Sequence, residues 1–265
     1  GYYLSPTKRA RLMKPVGQLD ECVDRCKPFA PIVDGRVLAL GGSLLSGNSV
    51  AFNQWIEGIA RILENRSSQN HRTVVVVGGG EAARNGIDML VASTDSVEAL
   101  DRVGISATRL NATIVRECLI AHGINVASGL PTSVSEAVGL IDSGVVVMGG
   151  TRPGHTTDCV AIKVAREMSA SDCIIATNVS HVYSSDPNTN SDATPIESMN
   201  HDELRAIVGD STAHKAGARS VVDPVGAMHA REAGIELHIL DGSDLEALES
   251  AMQGLKFRGT HVRNS

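Results

Sequence analysis

The sequence predicts an α/β protein in which a mainly parallel, open sheet is covered by helices on both faces. Short, continuously apolar runs alternate with amphipathic stretches over residues 36–262, and such runs are typical of parallel strands that are buried on both sides. Several of the runs end directly in glycine. Aromatic residues make up only 3% of the chain, which contains 26 glycines, so the composition favours this fold over an aromatic-rich β-sandwich.

The predicted elements follow one another in a regular strand–helix order. From their apolar content we predict strands at residues 36–40, 74–77, 124–127, 145–148, 173–176 and 236–240. Apolar residues at helical spacing predict a helix after the first strand; they are Phe52, Trp55, Ile56, Ile59, Ile62 and Leu63. Further helices are predicted at 97–122 with a break near Gly104, at 134–141, from about Thr157, from Pro224, and around Leu245, Leu248 and Met252. One fold unit accounts for all of them.

The first 30 residues differ from the rest of the chain. They contain three prolines and little periodicity, and six basic residues: Lys8, Arg9, Arg11, Lys14, Arg25 and Lys27. We predict an N-terminal basic arm over 1–30, flexible or loosely docked, in front of a single domain over 31–265. A targeting or partner-binding tail is the alternative.

Composition excludes several classes of partner. The formal net charge of −6 provides no global attraction to nucleic acid or to an anionic membrane surface. No apolar stretch approaches the roughly 20 residues that a membrane helix needs. An odd number of cysteines, 5, fits a reducing compartment, so we predict a soluble, cytoplasmic protein.

Histidines and cysteines show no pattern of metal ligands. Six of the histidines outside the loop discussed below are scattered along the chain without ligand spacing; they are His71, His122, His201, His229, His238 and His261. Cys22 and Cys26 lie four residues apart, but zinc sites of this kind usually need a second pair. We therefore predict free thiols and no metal site made by the protein.

Three predicted strands run directly into small residues. The segments are Gly41-Gly42-Ser43, Gly78-Gly79-Gly80 and Gly149-Gly150-Thr151. Carboxyl ends of parallel strands meet at one edge of a sheet, which is where open α/β sheets bind ligands. Glycine lets backbone N–H groups approach an anion, and a helix that begins after the loop adds its positive end. The pattern predicts a polyphosphate site, although neither P-loop nor Rossmann spacing is present.

The segment from Gly149 to Asp158 is the most specific of the chain. It places hydroxyls, backbone N–H groups, an imidazole and a carboxylate within ten residues of a strand end. A polar surface loop in which Thr156 or Thr157 caps the next helix is the plainer interpretation. That capping role is compatible with binding, and it does not by itself require His155 and Asp158 around a threonine pair.

The motifs, taken in order, closely resemble the archaeal-type uridylate (UMP) kinases of the amino acid kinase superfamily. They are Gly41-Gly42-Ser43, residues 75–80 followed by Ala83-Arg84, residues 107–112, residues 149–158, and Thr177-Asn178-Val179 leading to Val182-Tyr183 and Asp186-Pro187. The resemblance covers roughly residues 36–262. It implies a three-layer α/β/α sandwich, ATP and Mg²⁺ as cofactors, UMP as the substrate and UDP as the product. It also implies a homo-oligomer, a hexamer built from dimers.

Site residues are carried over from the resemblance by position. Those expected at the ATP phosphates are Gly42, Ser43, Gly80 and Arg84, and those at its base and ribose are Thr177, Asn178, Tyr183 and Asp186. UMP would be held by Gly79, Asp101, Thr151, Arg152, Pro153, Gly154, His155, Thr156 and Thr157. The residues expected to act in catalysis are Asp158, Arg84 and Ser43. His155 is expected to donate a hydrogen bond toward phosphate rather than to act as a base, because the phosphate of UMP is already an anionic nucleophile.

Four departures from the family pattern keep alternatives open. Ala39 stands where many members have a lysine, for which Lys215 is a candidate replacement, and Ser180-His181 replaces the usual Asp-Gly. Arg152 lies inside the phosphate loop, where it would bind phosphate or face solvent, and the arm is an addition. One alternative is a related kinase that phosphorylates a carboxylate, carbamate or isoprenoid phosphate. Others are a non-catalytic nucleotide-binding or storage oligomer and, on the basic arm alone, a nucleic-acid-binding module.

Overall fold

A mostly parallel sheet forms the centre of the fold. The computed structural model describes residues 35–185, 187, 189–209 and 221–264. The sheet order is β3-β2-β1-β4-β8-β9-β7, with β1 Arg36–Leu40, β2 Thr73–Val77, β3 Val146–Met148, β4 Asp172–Thr177, β7 Ser198–Asn200, β8 Glu236–Asp241 and β9 Thr260–Arg263. A separate antiparallel hairpin joins β5 (Val182–Tyr183) to β6 (Pro195–Ile196).

Strand β1 lies at the point where the strand order reverses. It pairs in parallel with β2 on one side and with β4 on the other, and β8 continues the parallel sheet beyond β4. Strand β9 is antiparallel to β8, and β7 is parallel to β9. The crevice between the carboxyl ends of β1 and β4 is therefore a topological switch point, the place where doubly wound sheets bind ligands.

Helices cover both faces of this sheet. They are α1 Ser49–Ser68, α2 Gly80–Val91, α3 Val97–Ala121, α4 Val134–Gly139, α5 Thr157–Glu167, α6 His201–Val208, α7 Pro224–Ala233 and α8 Leu245–Met252, with a short 3₁₀ helix at Gly42–Leu45. In β1, Val37 and Ala39 face one buried apolar layer, which includes residues of α5 and α7. Leu38 and Leu40 face the other, which includes residues of α1, α3 and α8. The predicted three-layer α/β/α sandwich is confirmed.

Some predicted elements differ from the observed ones. Residues 124–127 were predicted as a strand but form only an isolated bridge, from Val126 to Val145. Helix α3 continues through Gly104 without a break, because α3 packs along α2 and this packing outweighs the low helix propensity of glycine. A Cβ added at Gly104 would lie 3.8 Å from Ile87 of α2. The hairpin, β7 and β9 were not predicted, since each of these strands is four residues or shorter.

Several predictions lie outside the described residues. They concern the arm at 1–30, Cys22, Cys26, Asp186 and Lys215, whose positions all fall in the remaining segments of the chain. None of the helices in the described part is both long and apolar enough to cross a membrane.

Candidate active site

The glycine loops that follow β1 and β2 touch through bare backbone. A Cβ atom added to Gly42 would lie 2.2 Å from the backbone nitrogen of Gly80 and 2.5 Å from the carbonyl oxygen of Gly78. Gly80 has a φ of +55°, and a Cβ there would lie 2.2 Å from the carbonyl oxygen of Gly42. No side chain fits between the two loops, so they form one continuous strip of backbone at the carboxyl ends of β1 and β2.

Two helices begin at this strip without a side-chain cap. The 3₁₀ helix after Gly41 and helix α2 after Gly79 have no side-chain oxygen that accepts from their first backbone N–H groups. Every other helix within the described residues does have one; the caps are Asn48, Ser96, Ser133, Thr156, Asn200, Asp223 and Asp244. Because the first N–H groups of a helix have no partner inside it, an uncapped start can bind an anion.

Helix α3 holds the second and third glycine loops together. The amide of Asn111 donates to the carbonyl oxygens of Gly78 at 2.8 Å and Gly79 at 3.0 Å. One turn earlier, the hydroxyl oxygen of Thr108 accepts a 2.7 Å hydrogen bond from the backbone N–H of Gly150. The Arg109 guanidinium donates to the carbonyls of Gly150 and Thr151, both at 3.2 Å. All three glycine loops therefore meet at one rim of the sheet.

The segment after β3 is tied to the start of α3. A carboxylate oxygen of Asp101 accepts a 2.7 Å hydrogen bond from the backbone N–H of Gly154. Around this contact, Arg152 is exposed, while Thr151 and Pro153 are half-buried. Asp101, expected from the resemblance to contact the acceptor, thus lies beside the loop expected to hold the acceptor phosphate.

His155 lies between two cationic side chains. Its Nε2 atom is 2.9 Å from Nζ of Lys163 and 3.2 Å from Nε of Arg152. Burial, and then the charges of Lys163, Arg152 and His229, lower the pKa of His155 to about 4. The ring is neutral near pH 7 and accepts at Nε2, so only Nδ1 can carry a proton toward a ligand.

Asp158 lies in the first turn of α5 and contacts the start of α7. The backbone N–H of Asp223 donates to a carboxylate oxygen of Asp158 at 3.2 Å. Asp223 in turn accepts from the hydroxyl of Thr156 at 2.7 Å and from the N–H of Gly226 at 2.6 Å. Burial, opposed by that N–H and assisted by the Asp223 carboxylate, raises the pKa of Asp158 to about 6. Thr156 caps α5, as the plainer interpretation predicted.

The segment after β4 lies against the first glycine loop. The N–H of Gly41 donates to the carbonyl of Ala176 at 2.8 Å, next to Thr177 and the exposed Asn178. In the turn that follows, the Ser180 hydroxyl lies 3.1 Å from the Tyr183 hydroxyl and 3.0 Å from Nδ1 of His181. In this chain, therefore, the residues at 180–181 form a hydrogen-bonded group with Tyr183.

Ser43 and Arg84, the two side chains predicted to bind the ATP phosphates, follow β1 and β2, and Ala39 lies inside β1. Ser43 lies in the 3₁₀ helix, and its carbonyl accepts from the N–H of Ser46 at 3.2 Å. Arg84 lies one turn into α2 and is half-buried; within the described ranges its side chain has no hydrogen bond or ion pair. Ala39 is 2% exposed and lies between Val76 and Ile175 in the sheet register.

Sequence reasoning assigned no role to five residues that shape the rim, among them Arg109, which donates to the carbonyls of Gly150 and Thr151. Thr108 and Asn111 lie in a quoted motif but received no role, although polar residues three apart on the buried side of a helix are a usable signal. Asp223 precedes Pro224, a pattern typical of a helix start. Its contact with Asp158 was not predictable, because the two residues are 65 positions apart in the sequence. Lys163 gave no sequence signal.

Comparison with known proteins identifies the family of the chain. A sequence model of the amino acid kinase family matches residues 35–241. A uridylate kinase from Methanococcus vannielii is 36% identical over 219 residues, which cover 82% of this chain and 95% of that protein. One from Methanococcoides burtonii is 38% identical over 221 residues, covering 82% and 91%.

Solved structures show the same fold. The crystal structure of a uridylate kinase from Archaeoglobus fulgidus has a TM-score of 0.73 and 33% sequence identity, with 87% of this chain and 100% of that one covered. A UMP kinase from Bacillus anthracis, at 19% identity and a TM-score of 0.69 over 88% and 96% of the two chains, is similar in fold alone. By its sequence and its fold, the chain belongs to the amino acid kinase family.

Proposed function

We propose that the chain is a UMP kinase, which transfers the γ-phosphoryl group of ATP to UMP and releases ADP and UDP. The observation that carries the proposal is the pair of uncapped helix starts at the fused glycine loops. They leave backbone N–H groups directed to the rim where the other glycine loop and Asp158 also lie. The similarity to uridylate kinases supports UMP as the acceptor.

The donor half of the site lies over the β1/β4 switch point. Backbone N–H groups of Gly42 and Gly80 would bind the ATP phosphates with Ser43 and Arg84, whose guanidinium has no partner within the described ranges. Thr177, Asn178 and Tyr183 would hold the ribose and base, with Asp186 as a further candidate. Pre-placed donors of this kind stabilise the charge of a transferring phosphoryl group without reorganisation.

Mg²⁺ fits this donor set. Mg²⁺ retains several waters and is usually held by one or two carboxylates together with substrate phosphates, so it does not need a cage of protein ligands. Asp158 offers a carboxylate at the phosphate loops, next to Asp223. When bound, the ion neutralises charge on the phosphates.

The acceptor half lies between the start of α3 and the loop at residues 151–157. Asp101 would accept from ribose hydroxyls, and backbone N–H groups and hydroxyls of the loop would bind the UMP phosphate. Arg152 and Lys163 add two positive charges around the neutral ring of His155. An anionic phosphate needs no strong base, which fits a histidine whose pKa is lowered to about 4. The hexamer remains a prediction from the resemblance, and the cytoplasmic location remains a prediction from the cysteine content.

The test is an ADP-release assay with MgATP and a panel of acceptors. We expect kcat/KM for UMP to exceed that for CMP, dUMP, acetylglutamate and isopentenyl phosphate by about tenfold or more, as a built polar site discriminates by 10-fold to far larger factors. Turnover should stop when EDTA removes the metal. Activity on acetylglutamate or isopentenyl phosphate but not on UMP would contradict the choice of acceptor. Tight binding of ATP and UMP in calorimetry without any ADP release would instead support a storage protein.

A further inference from the structure

A cluster of potential metal ligands lies at the amino end of β8, away from the glycine loops. Glu236 and His238 are two residues apart on β8, and His261 on β9 is the register partner of His238. Side chains two apart on a strand lie on one face of the sheet, and so do register partners. Glu236 is the first residue of β8, whereas the three glycine loops lie at the carboxyl ends of the parallel strands.

The three side chains converge closely. Nε2 of His261 lies 2.8 Å from a carboxylate oxygen of Glu236 and 3.2 Å from Nε2 of His238. One ligand atom from each residue lies within 4.8 Å of the other two. Zinc ligands stand about 2.0–2.2 Å from the ion in a tetrahedral arrangement, which separates them from one another by roughly 3.4 Å. The two distances to Nε2 of His261, 2.8 and 3.2 Å, are shorter than this value by about 0.6 and 0.2 Å.

We propose that Glu236, His238 and His261 form a binding site for a divalent transition metal, with Zn²⁺ as the first choice. Two imidazoles and one carboxylate are ligands that Zn²⁺ prefers, and three protein ligands leave one position for water. The side chains of His261 and Glu236 are 26% and 33% exposed, so solvent reaches the fourth position. His238 is 7% exposed and fixes the inner side of the site.

The surroundings favour an ordered site. The ring of Phe257 packs 5.0 Å from that of His238, and the two imidazoles stand edge to face. Nδ1 of His238 is buried without a hydrogen-bond partner among the described residues. Arg263 donates to Nδ1 of His261 at 3.3 Å, which leaves the proton on Nε2, between Glu236 and His238. A metal ion at Nε2 would require the neutral ring to carry its single proton on Nδ1, so the proton would move there by exchange with solvent and the exposed Arg263 would release Nδ1.

This site would link β9, the last strand in chain order among the described residues, to its neighbour β8. Strand β9 pairs antiparallel with β8, and its Thr260 accepts from the N–H of Val182 at 2.8 Å and donates to the carbonyl of Ile196 at 2.5 Å. The same strand therefore holds the β5–β6 hairpin, which carries Tyr183. The proposed role of the metal is structural, and it does not depend on the proposed kinase activity.

The experiment is a Zn²⁺ titration of the full chain after EDTA treatment, followed by calorimetry and by thermal unfolding. We expect one Zn²⁺ per chain and a rise in Tm with Zn²⁺ concentration, because a ligand that binds only the folded state stabilises it. His261→Asn should lose this binding, and Glu236→Gln should weaken it about tenfold or more, in the range known for changes around zinc sites. His122→Asn, at the exposed end of α3, is the matched control and should bind as the wild type does.

A second variant separates the cluster from the N-terminal cysteines. Replacing Cys22 and Cys26 with serine should leave the stoichiometry and the Tm shift unchanged. The proposal fails if Zn²⁺ binding persists at full strength in His261→Asn and Glu236→Gln, or if it disappears in the cysteine variant. Thermal unfolding without Zn²⁺ checks that each variant is folded.

Discussion

The two ends of the central sheet use different parts of the polypeptide. At the carboxyl ends of the parallel strands, the contacts are made by backbone atoms. Gly42 and Gly80 touch, and two helices start without a side-chain cap. At the amino ends of β1 and β4, charged side chains satisfy one another, as in the 2.5 Å ion pair of Arg36 with Asp172. The first rim leaves backbone N–H groups without side-chain caps, whereas the Arg36–Asp172 pair at the second rim is satisfied within the protein. We therefore expect substitutions at the first rim to affect turnover and those at the second to affect stability.

The largest expected effect on turnover comes from Gly42→Ala. The new Cβ would lie 2.2–2.5 Å from backbone atoms of Gly80 and Gly78, which cannot move as a flexible side chain can. We expect kcat/KM for UMP to fall by about 100-fold or more, since displacement of preorganised donors has costs of that order. The strain should also destabilise the fold by about 1–3 kcal/mol. Steady-state kinetics and thermal unfolding measure the two effects.

Gly139→Ala is the matched control for this change. Gly139 ends α4 and has no atom within 4 Å of an added Cβ, so alanine should be neutral or stabilise by up to about 1 kcal/mol. If Gly42→Ala retained wild-type turnover, the fused glycine loops would not be the phosphate site.

The second largest effect on turnover is expected for Asp158→Asn, which should lower turnover and raise stability. Asp158→Asn removes a carboxylate from the start of α5, where the proposed function places it at the transferring phosphoryl group, and we expect turnover to fall by about 100-fold. The ligand-free protein should nevertheless become more stable, because burial raises the pKa of Asp158 to about 6 from 3.8. The gain is at most about 3 kcal/mol, as one pKa unit corresponds to about 1.4 kcal/mol.

The pH dependence of this gain has a defined sign. The folded protein retains the Asp158 proton up to about pH 6, whereas the unfolded chain releases it near 3.8, so this group makes stability fall as pH rises between those values. His155, lowered to about 4, acts in the opposite direction over a similar range. Subtracting the urea-unfolding profile of the variant from that of the wild type isolates Asp158. If the difference in unfolding free energy between wild type and variant stayed constant from pH 4 to 7, burial would not raise the pKa of Asp158.

The fold and the glycine loops were predictable because their signals are contiguous. Apolar runs that end in glycine identify strands β1 and β2 and the loops after them within a few residues of sequence. Helix α3 was also predicted, but its continuity through Gly104 depends on contact with α2, which the local pattern does not contain. Strand β9 was missed because four residues carry too little periodicity to distinguish a strand from a loop.

Contacts between distant segments were the part that the sequence could not provide. Thr108 meets Gly150 across 42 residues and Asn111 meets Gly78 across 33. The histidines were interpreted as scattered, and the pairing of His238 with His261 depends on the register of a strand that was not predicted. For the same reason, Lys163 was not associated with His155 before the loop and helix α5 were placed.

The smallest expected effect on turnover comes from Asp172→Asn, at the amino-end rim. The side chains of Arg36 and Asp172 are only 14% and 11% exposed, and removing one charge leaves the other largely buried without its partner. We expect a loss of roughly 2 kcal/mol or more in the free energy of unfolding, with kcat/KM unchanged. Asp142→Asn is the control: Asp142 pairs with Arg72 in the same way but is 69% exposed, so its loss should be about 0.5 kcal/mol or less. If Asp172→Asn lowered kcat/KM without changing the free energy of unfolding, the two rims would not divide function and stability between them.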